Sequence, residues 1–117
     1  MKLIHKLEPI FWMLFGGGGF VVAFVMPALI LGVLILAPLG LMEQGLSYHR
    51  AHALAASLAG KGFLVVVLSL AFWHAAHHLR HFILDLFGHS GALPGAYFSY
   101  GLALAGTIAT LVTVAAL

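Results

Sequence analysis

PIFWMLFGGGGFVVAFVMPALILGVLILAPLGLM, residues 9–42, contains no Asp, Glu, Lys or Arg. About 20 apolar residues cross the hydrocarbon core of a bilayer as a helix, so this stretch reads as a membrane span. A secretory core is shorter, about 7–15 residues, and is followed by a small-residue cleavage site; the segment is therefore expected to be retained. Pro9 suits an opening helical turn and Pro27 predicts a kink inside the span. Ala37-Pro38-Leu39-Gly40 places two breakers close together at its end.

Outward from this stretch the chain keeps the same character. Gly62–Leu79 and Leu86–Leu117 are also free of charged residues. The 117 residues are 63% hydrophobic and 7% charged, against about a quarter charged in soluble domains, which excludes a water-soluble domain. No cysteine is present, so a disulfide scaffold, a zinc ribbon, an iron–sulfur protein with its own thiolates and a covalently attached haem are excluded. Five Lys or Arg against three Asp or Glu cannot build the basic stripe that nucleic acid demands, and no nucleic-acid partner is expected.

The expected fold is all-α and integral to the membrane. Three transmembrane helices run up-down-up in a single domain over residues 1–117, with spans at about 10–38, 61–87 and 95–117. Ser47–Ala59, Ala-rich but carrying Tyr48, His49, Arg50 and His52, is expected as a short helix along the membrane surface. Gly88, Ser90, Gly91, Pro94 and Gly95 gather turn-forming chemistry into one connection. Lys2 and Lys6 before the first span and Arg80 near the second connection place both on the cytoplasmic side, against the opposing vote of Lys61. Gly101, Ala105 and Ala109, with Gly106 and Thr110 beside them, form a small-residue stripe of the kind that lets membrane helices approach closely. For Gly16–Gly19 the plainer reading is likewise packing against a partner helix, beside close approach of a flat ligand.

Chemistry concentrates in Phe72-Trp73-His74-Ala75-Ala76-His77-His78-Leu79-Arg80-His81. The histidines follow an i, i+3, i+4, i+7 pattern and share one side of a helix, and ionisable groups inside a membrane mark function by default. The plain alternative for His78, Arg80 and His81 is an interfacial helix end, where cations suit the exposed carbonyls. His77 lies a turn deeper and is the candidate proton carrier. His74, deepest, reads either as an axial haem ligand, which requires a second imidazole from another helix, or as a buried hydrogen-bonding group. An up-down arrangement brings Trp12 to the level of His77. Trp12 is either a member of the interfacial aromatic belt or a donor to a quinone oxygen whose ring packs on the head group.

With these residues in view, the chain resembles the smaller hydrophobic membrane anchor, the D subunit, of bacterial quinol:fumarate reductase, in the succinate dehydrogenase/fumarate reductase superfamily. The resemblance rests on Glu8-Pro9-Ile10-Phe11-Trp12-Met13-Leu14-Phe15 with Gly16–Gly19, on Pro27, on Ala37–Gly40, on Leu46-Ser47-Tyr48, and on the Trp73–His81 block followed by Asp85-Leu86. It implies a non-catalytic subunit of an oxidoreductase. Three helices would pack against a second hydrophobic anchor subunit, and the two anchors together would hold the flavoprotein and iron–sulfur subunits on the cytoplasmic face of the bacterial inner membrane. In the family, menaquinol is oxidised to menaquinone near that face in anaerobic respiration, and FAD and the iron–sulfur clusters belong to the partner subunits. Carried over by motif, Trp12 and the His77-His78 pair contribute to the quinol pocket. At His78 this sequence departs from the family, in which an arginine commonly follows the histidine. The nearest guanidinium is Arg80, about 200° around the helix from His78. Trp12, His77, His78 and Arg80 are thus the expected quinol contacts, and no haem b is expected. Two alternatives stand beside this reading: a haem-sharing anchor of a succinate:quinone oxidoreductase using His74, and a purely structural anchor without quinol contacts.

Overall fold

The computed structural model describes residues 2–42 and 47–117; Leu46 of the Leu46-Ser47-Tyr48 landmark lies outside them. Among the described residues every regular element is helical. Two helical stretches, His5–Leu36 and Leu58–Ala115, are long and apolar enough to cross a membrane, the second running through a tight turn.

Helix α1 (Lys2–Phe20) begins ahead of Pro9 and contains it, where the sequence suggested a start at the proline. A proline removes one helical hydrogen bond, and this one lies on an exposed stretch beside Glu8 and Ile10, where the freed carbonyl of His5 is open to other donors. Beyond α1 the helix widens at Val21–Val25, tightens over the short α2 (Met26–Leu29) and widens again at Ile30–Leu36. The Ala37 amide donates to the Gly32 carbonyl at 3.0 Å, five residues back. The disruption expected at Pro27 takes this form: its ring displaces the preceding turn, and the flanking turns recover their hydrogen bonds in the wider π pattern.

Helix α3 (Tyr48–Ala56) opens where the Ser47 hydroxyl accepts from the Arg50 amide at 3.4 Å. It ends at Ser57, an extended residue that also starts α4 (Leu58–Phe87). The Ser57 hydroxyl donates to the Leu54 carbonyl at 2.6 Å and accepts from the Gly60 amide at 3.0 Å, closing one helix and capping the next. The corner is tight enough that a Cβ on Gly60 would collide with the Leu54 carbonyl. Ser57→Ala is expected to cost about 1 kcal/mol and to fray the first turn of α4, read as faster hydrogen exchange at the Gly60 amide.

A 3-10 turn, Gly88–Gly91, joins α4 to α5 (Ala92–Ala115). Gly88 has φ +61°, a left-handed conformation that a side chain resists. The α4–α5 contacts run in opposite order along the two helices. Ile83 meets the sites of Gly91 and Gly95, Phe72 meets Gly106, and the Trp73 indole donates to the Thr107 hydroxyl at 3.2 Å. Helix α1 lies on another side of α4, also in reverse order, with Trp12 beside His77 and Gly17 beside Leu70.

The seam with α4 is made by Gly95, Ala96, Ser99, Ala103 and Thr110, all buried, and by Gly106. Of the stripe read from the sequence, Gly101, Ala105 and Ala109 are exposed. Helix α5 carries small residues on more than one face, and the aromatic bulk of Phe72 and Trp73 on α4 selects which of them lies underneath.

Candidate functional site

The four histidines of α4 lie along one face, but burial separates them. His77 is 9% exposed and His74 is half-buried, while His78 and His81 are exposed. The cause is α1, whose Phe15 covers the deeper pair. Its ring stacks on His74 at 4.8 Å and 10° between planes, tilts over His77 at 4.4 Å and meets the edge of His78 at 5.4 Å.

His74 Nδ1 lies 3.1 Å from the Phe15 carbonyl oxygen. A carbonyl only accepts, so the imidazole carries its proton on Nδ1 and donates it. The ring fits because α1 presents glycine there: a Cβ on Gly18 would sit 2.5 Å from His74 Cβ, and one on Gly19 would sit 3.3 Å from His74 Cε1. The glycine run is therefore in part a seat for this imidazole.

Trp12 and His77 come together, with ring centroids 6.4 Å apart in an edgewise arrangement. Trp12 is 64% exposed and also touches Phe15 edge-on. His77 is the centre of the cluster, with Nδ1 3.2 Å from the Tyr100 hydroxyl of α5 and Nε2 3.2 Å from His81 Nε2. Arg80 Nη1 donates to the same Tyr100 hydroxyl at 3.2 Å, its guanidinium carbon 5.7 Å from the ring centre. Arg80 follows His77 by three positions, so the two share a helix face, and Tyr100 ties them together. His78 points away from Arg80, as the two-position step between them around the helix requires.

Tyr100, Phe15 and Phe11 belong to this cluster and were not singled out from the sequence. The Phe11 ring stacks on Tyr100 at 4.5 Å and 7° between planes, and Trp73 lies 5.9 Å from Tyr100. Tyr100 carried a usable signal, since a phenol inside an apolar helix needs a hydrogen-bond partner. Nothing in the sequence distinguishes Phe15 from the other phenylalanines. Among the described residues no group of three or more His, Cys, Asp or Glu is arranged to hold a metal ion.

The family model for the fumarate reductase D subunit matches residues 3–115. The chain belongs to that family. Among the fumarate reductase D subunits it resembles, one from Vibrio cholerae serotype O1 (strain M66-2) is 41% identical over 97 residues, covering 82% of this chain and 74% of that protein. Another from Vibrio vulnificus (strain YJ016) is 39% identical over 108 residues, covering 92% and 84%. A third, from Shewanella sp. (strain W3-18-1), is 39% identical over 94 residues, covering 80% and 77%. As a fumarate reductase D subunit, the chain is an anchor subunit of a multi-subunit complex and not its catalytic subunit. Its long apolar helices agree with a place in a membrane.

Proposed function

We propose that this subunit anchors the complex through three transmembrane helices running up-down-up, packed against a second hydrophobic anchor, with the N-terminus on the cytoplasmic side of the inner membrane. The α1 start and the α4 end lie at that side, where the iron–sulfur and flavoprotein subunits dock. There the chain contributes one wall of the menaquinol oxidation site. The observation that carries this reading is the meeting of the Trp12 and His77 rings at 6.4 Å, two residues remote in sequence that supply an indole N–H, a flat apolar surface and an imidazole cluster at one end of the helices. His78, exposed beside them, and Arg80, fixed on Tyr100, complete the chain's share.

Quinol oxidation releases protons and electrons together. A neutral imidazole is a fit acceptor for the protons, and the electrons leave to the partner subunits, which hold the iron–sulfur clusters and FAD. A haem-sharing role for His74 would use its Nε2, since Nδ1 is held by the Phe15 carbonyl, and would need a second imidazole from another helix; the neighbouring imidazole, His78, sits on the same helix at 4.8 Å.

Trp12 is exposed, so replacing it tests the site without opening the fold. In the assembled complex Trp12→Leu is expected to raise KM for a soluble naphthoquinol about 10-fold, as loss of a hydrogen bond and a stacking surface implies. Fumarate reduction driven by a reduced viologen dye, which bypasses the quinol site, is expected to stay unchanged. Unaltered quinol kinetics in that variant and in His78→Leu would favour a purely structural anchor.

A further inference from the structure

His77 is the imidazole that both its depth and the family motif single out, yet neither of its nitrogens is free. Nδ1 faces the Tyr100 hydroxyl and Nε2 faces His81 Nε2, each at 3.2 Å, and the ring is buried beneath Phe15 and beside Trp12. A quinol oxygen reaches His77 only by displacing one of these partners. His81 differs: its side chain is exposed, its Nε2 is turned to His77, and its Nδ1 is the nitrogen left for a ligand.

Resting on the quinol-site reading above, we propose that His81 is the imidazole of this chain that meets the quinol hydroxyl. Arg80, Tyr100 and His77 are then positioning residues that set what His81 presents. Arg80 has only donors, so the Tyr100 oxygen accepts from it. Two proton arrangements then satisfy both histidines. In one, the Tyr100 hydroxyl donates to His77 Nδ1, His77 Nε2–H donates to His81 Nε2, and His81 turns an Nδ1–H outward, suited to a quinone carbonyl. In the other, His77 Nδ1–H donates to the Tyr100 oxygen, His81 Nε2–H donates to His77 Nε2, and His81 Nδ1 turns a lone pair outward, suited to a quinol hydroxyl. Moving one proton along from Tyr100 to His77 and one from His77 to His81, with the His81 Nδ1 proton released outward and one proton taken up at the Tyr100 oxygen, interconverts them, so one geometry receives substrate and product alike.

In the assigned step one quinol O–H bond breaks and its proton forms an N–H bond on His81 Nδ1. The two electrons of the oxidation pass singly to an iron–sulfur acceptor in the partner subunit, and the second hydroxyl proton leaves through groups outside this chain. The exposed His81 ring returns its proton to water. The groups facing His77 are His74, His78, Arg80 and His81 from its own helix, Phe15 and Trp12 from α1 and Tyr100 from α5.

The test compares substitutions in the assembled complex, with a soluble naphthoquinol as donor, fumarate as acceptor and reduced viologen as the bypass control. His81→Gln keeps a hydrogen bond to His77 but takes no proton, and kcat is expected to fall roughly 100-fold with KM nearly unchanged. In His81→Ala, added imidazole is expected to restore part of the rate. Tyr100→Phe is expected to lower kcat about 5-fold, the worth of one neutral hydrogen bond, with an altered solvent isotope effect and no rescue by imidazole. A wild-type quinol rate in His81→Gln beside a lost one in His77→Gln overturns the assignment and returns the contact to His77. Wild-type rates in His81→Gln, His77→Gln and Trp12→Leu alike overturn the quinol-site reading itself. A second measurement needs no variant: in the wild-type complex a naphthoquinone is expected to slow carbethoxylation of His81, read by mass spectrometry, and equal labelling with and without it also overturns the proposal.

Discussion

Gly18→Val is expected to separate α1 from α4 and prevent recovery of an intact complex, whereas Gly16→Ala, two positions away in the same glycine run, is expected to leave the complex at least as stable. A Cβ at position 18 would press on the Leu70 carbonyl oxygen and stand 2.5 Å from His74 Cβ. Neither neighbour is the free end of a flexible side chain. The helices must therefore move apart, and overpacking of this kind costs typically 1–3 kcal/mol, with valine's two methyls at the upper end. The shift also pulls the Phe15 carbonyl from His74 and the Phe15 ring from the histidine cluster. At Gly16 a Cβ meets nothing within 4 Å, and alanine gains roughly 0.5–1 kcal/mol over glycine inside a helix. Co-purification of partner subunits in mild detergent across a temperature series distinguishes the two. Equal recovery for both variants would contradict the packing described at Gly18.

His77→Leu is expected to lower quinol-driven fumarate reduction between about 10- and 100-fold while costing the fold only about 1 kcal/mol. The disproportion follows from what each partner keeps. Tyr100 retains the Arg80 guanidinium at 3.2 Å, and exposed His81 retains access to solvent, so no buried polar group is stranded. Leucine fills most of the space under Phe15. What disappears is the link between Tyr100 and His81, and with it the control over which nitrogen of His81 bears a proton. Quinol kinetics set against viologen-driven kinetics, with thermal recovery of the complex, read the two effects separately. A large stability loss with a normal quinol rate would make His77 a packing residue alone.

Much of this was legible in the chain. The absence of charge over residues 9–42 and 86–117 demands helices, because backbone groups in hydrocarbon must satisfy one another. The spacing of His74, His77, His78 and His81 puts them on one helix side by the helical repeat alone. The relation of Trp12 to His77 followed from reversing chain direction between successive long helices. Other features were not legible, for identifiable reasons. Four consecutive glycines look alike in sequence, yet Gly18 is buried against His74 and Gly16 is exposed, because only the rotation of α1 about its axis decides which glycine faces the partner. The stripe at Gly101, Ala105 and Ala109 fits the small-residue rule as well as the seam that forms through Gly95, Ser99, Ala103 and Gly106, and the bulk of Phe72 and Trp73 makes the choice.

The amino-acid order by itself determined that this protein is helical and apolar, and that His74, His77, His78 and His81 gather toward one helix end, because hydropathy and periodicity are local properties. Only the tertiary structure decided that Tyr100 joins Arg80 to His77, that Phe15 roofs the deeper imidazoles, and that His81 is left outermost with a nitrogen to spare. Those are matters of rotation and depth between helices, which packing against neighbouring side chains sets and sequence spacing does not encode.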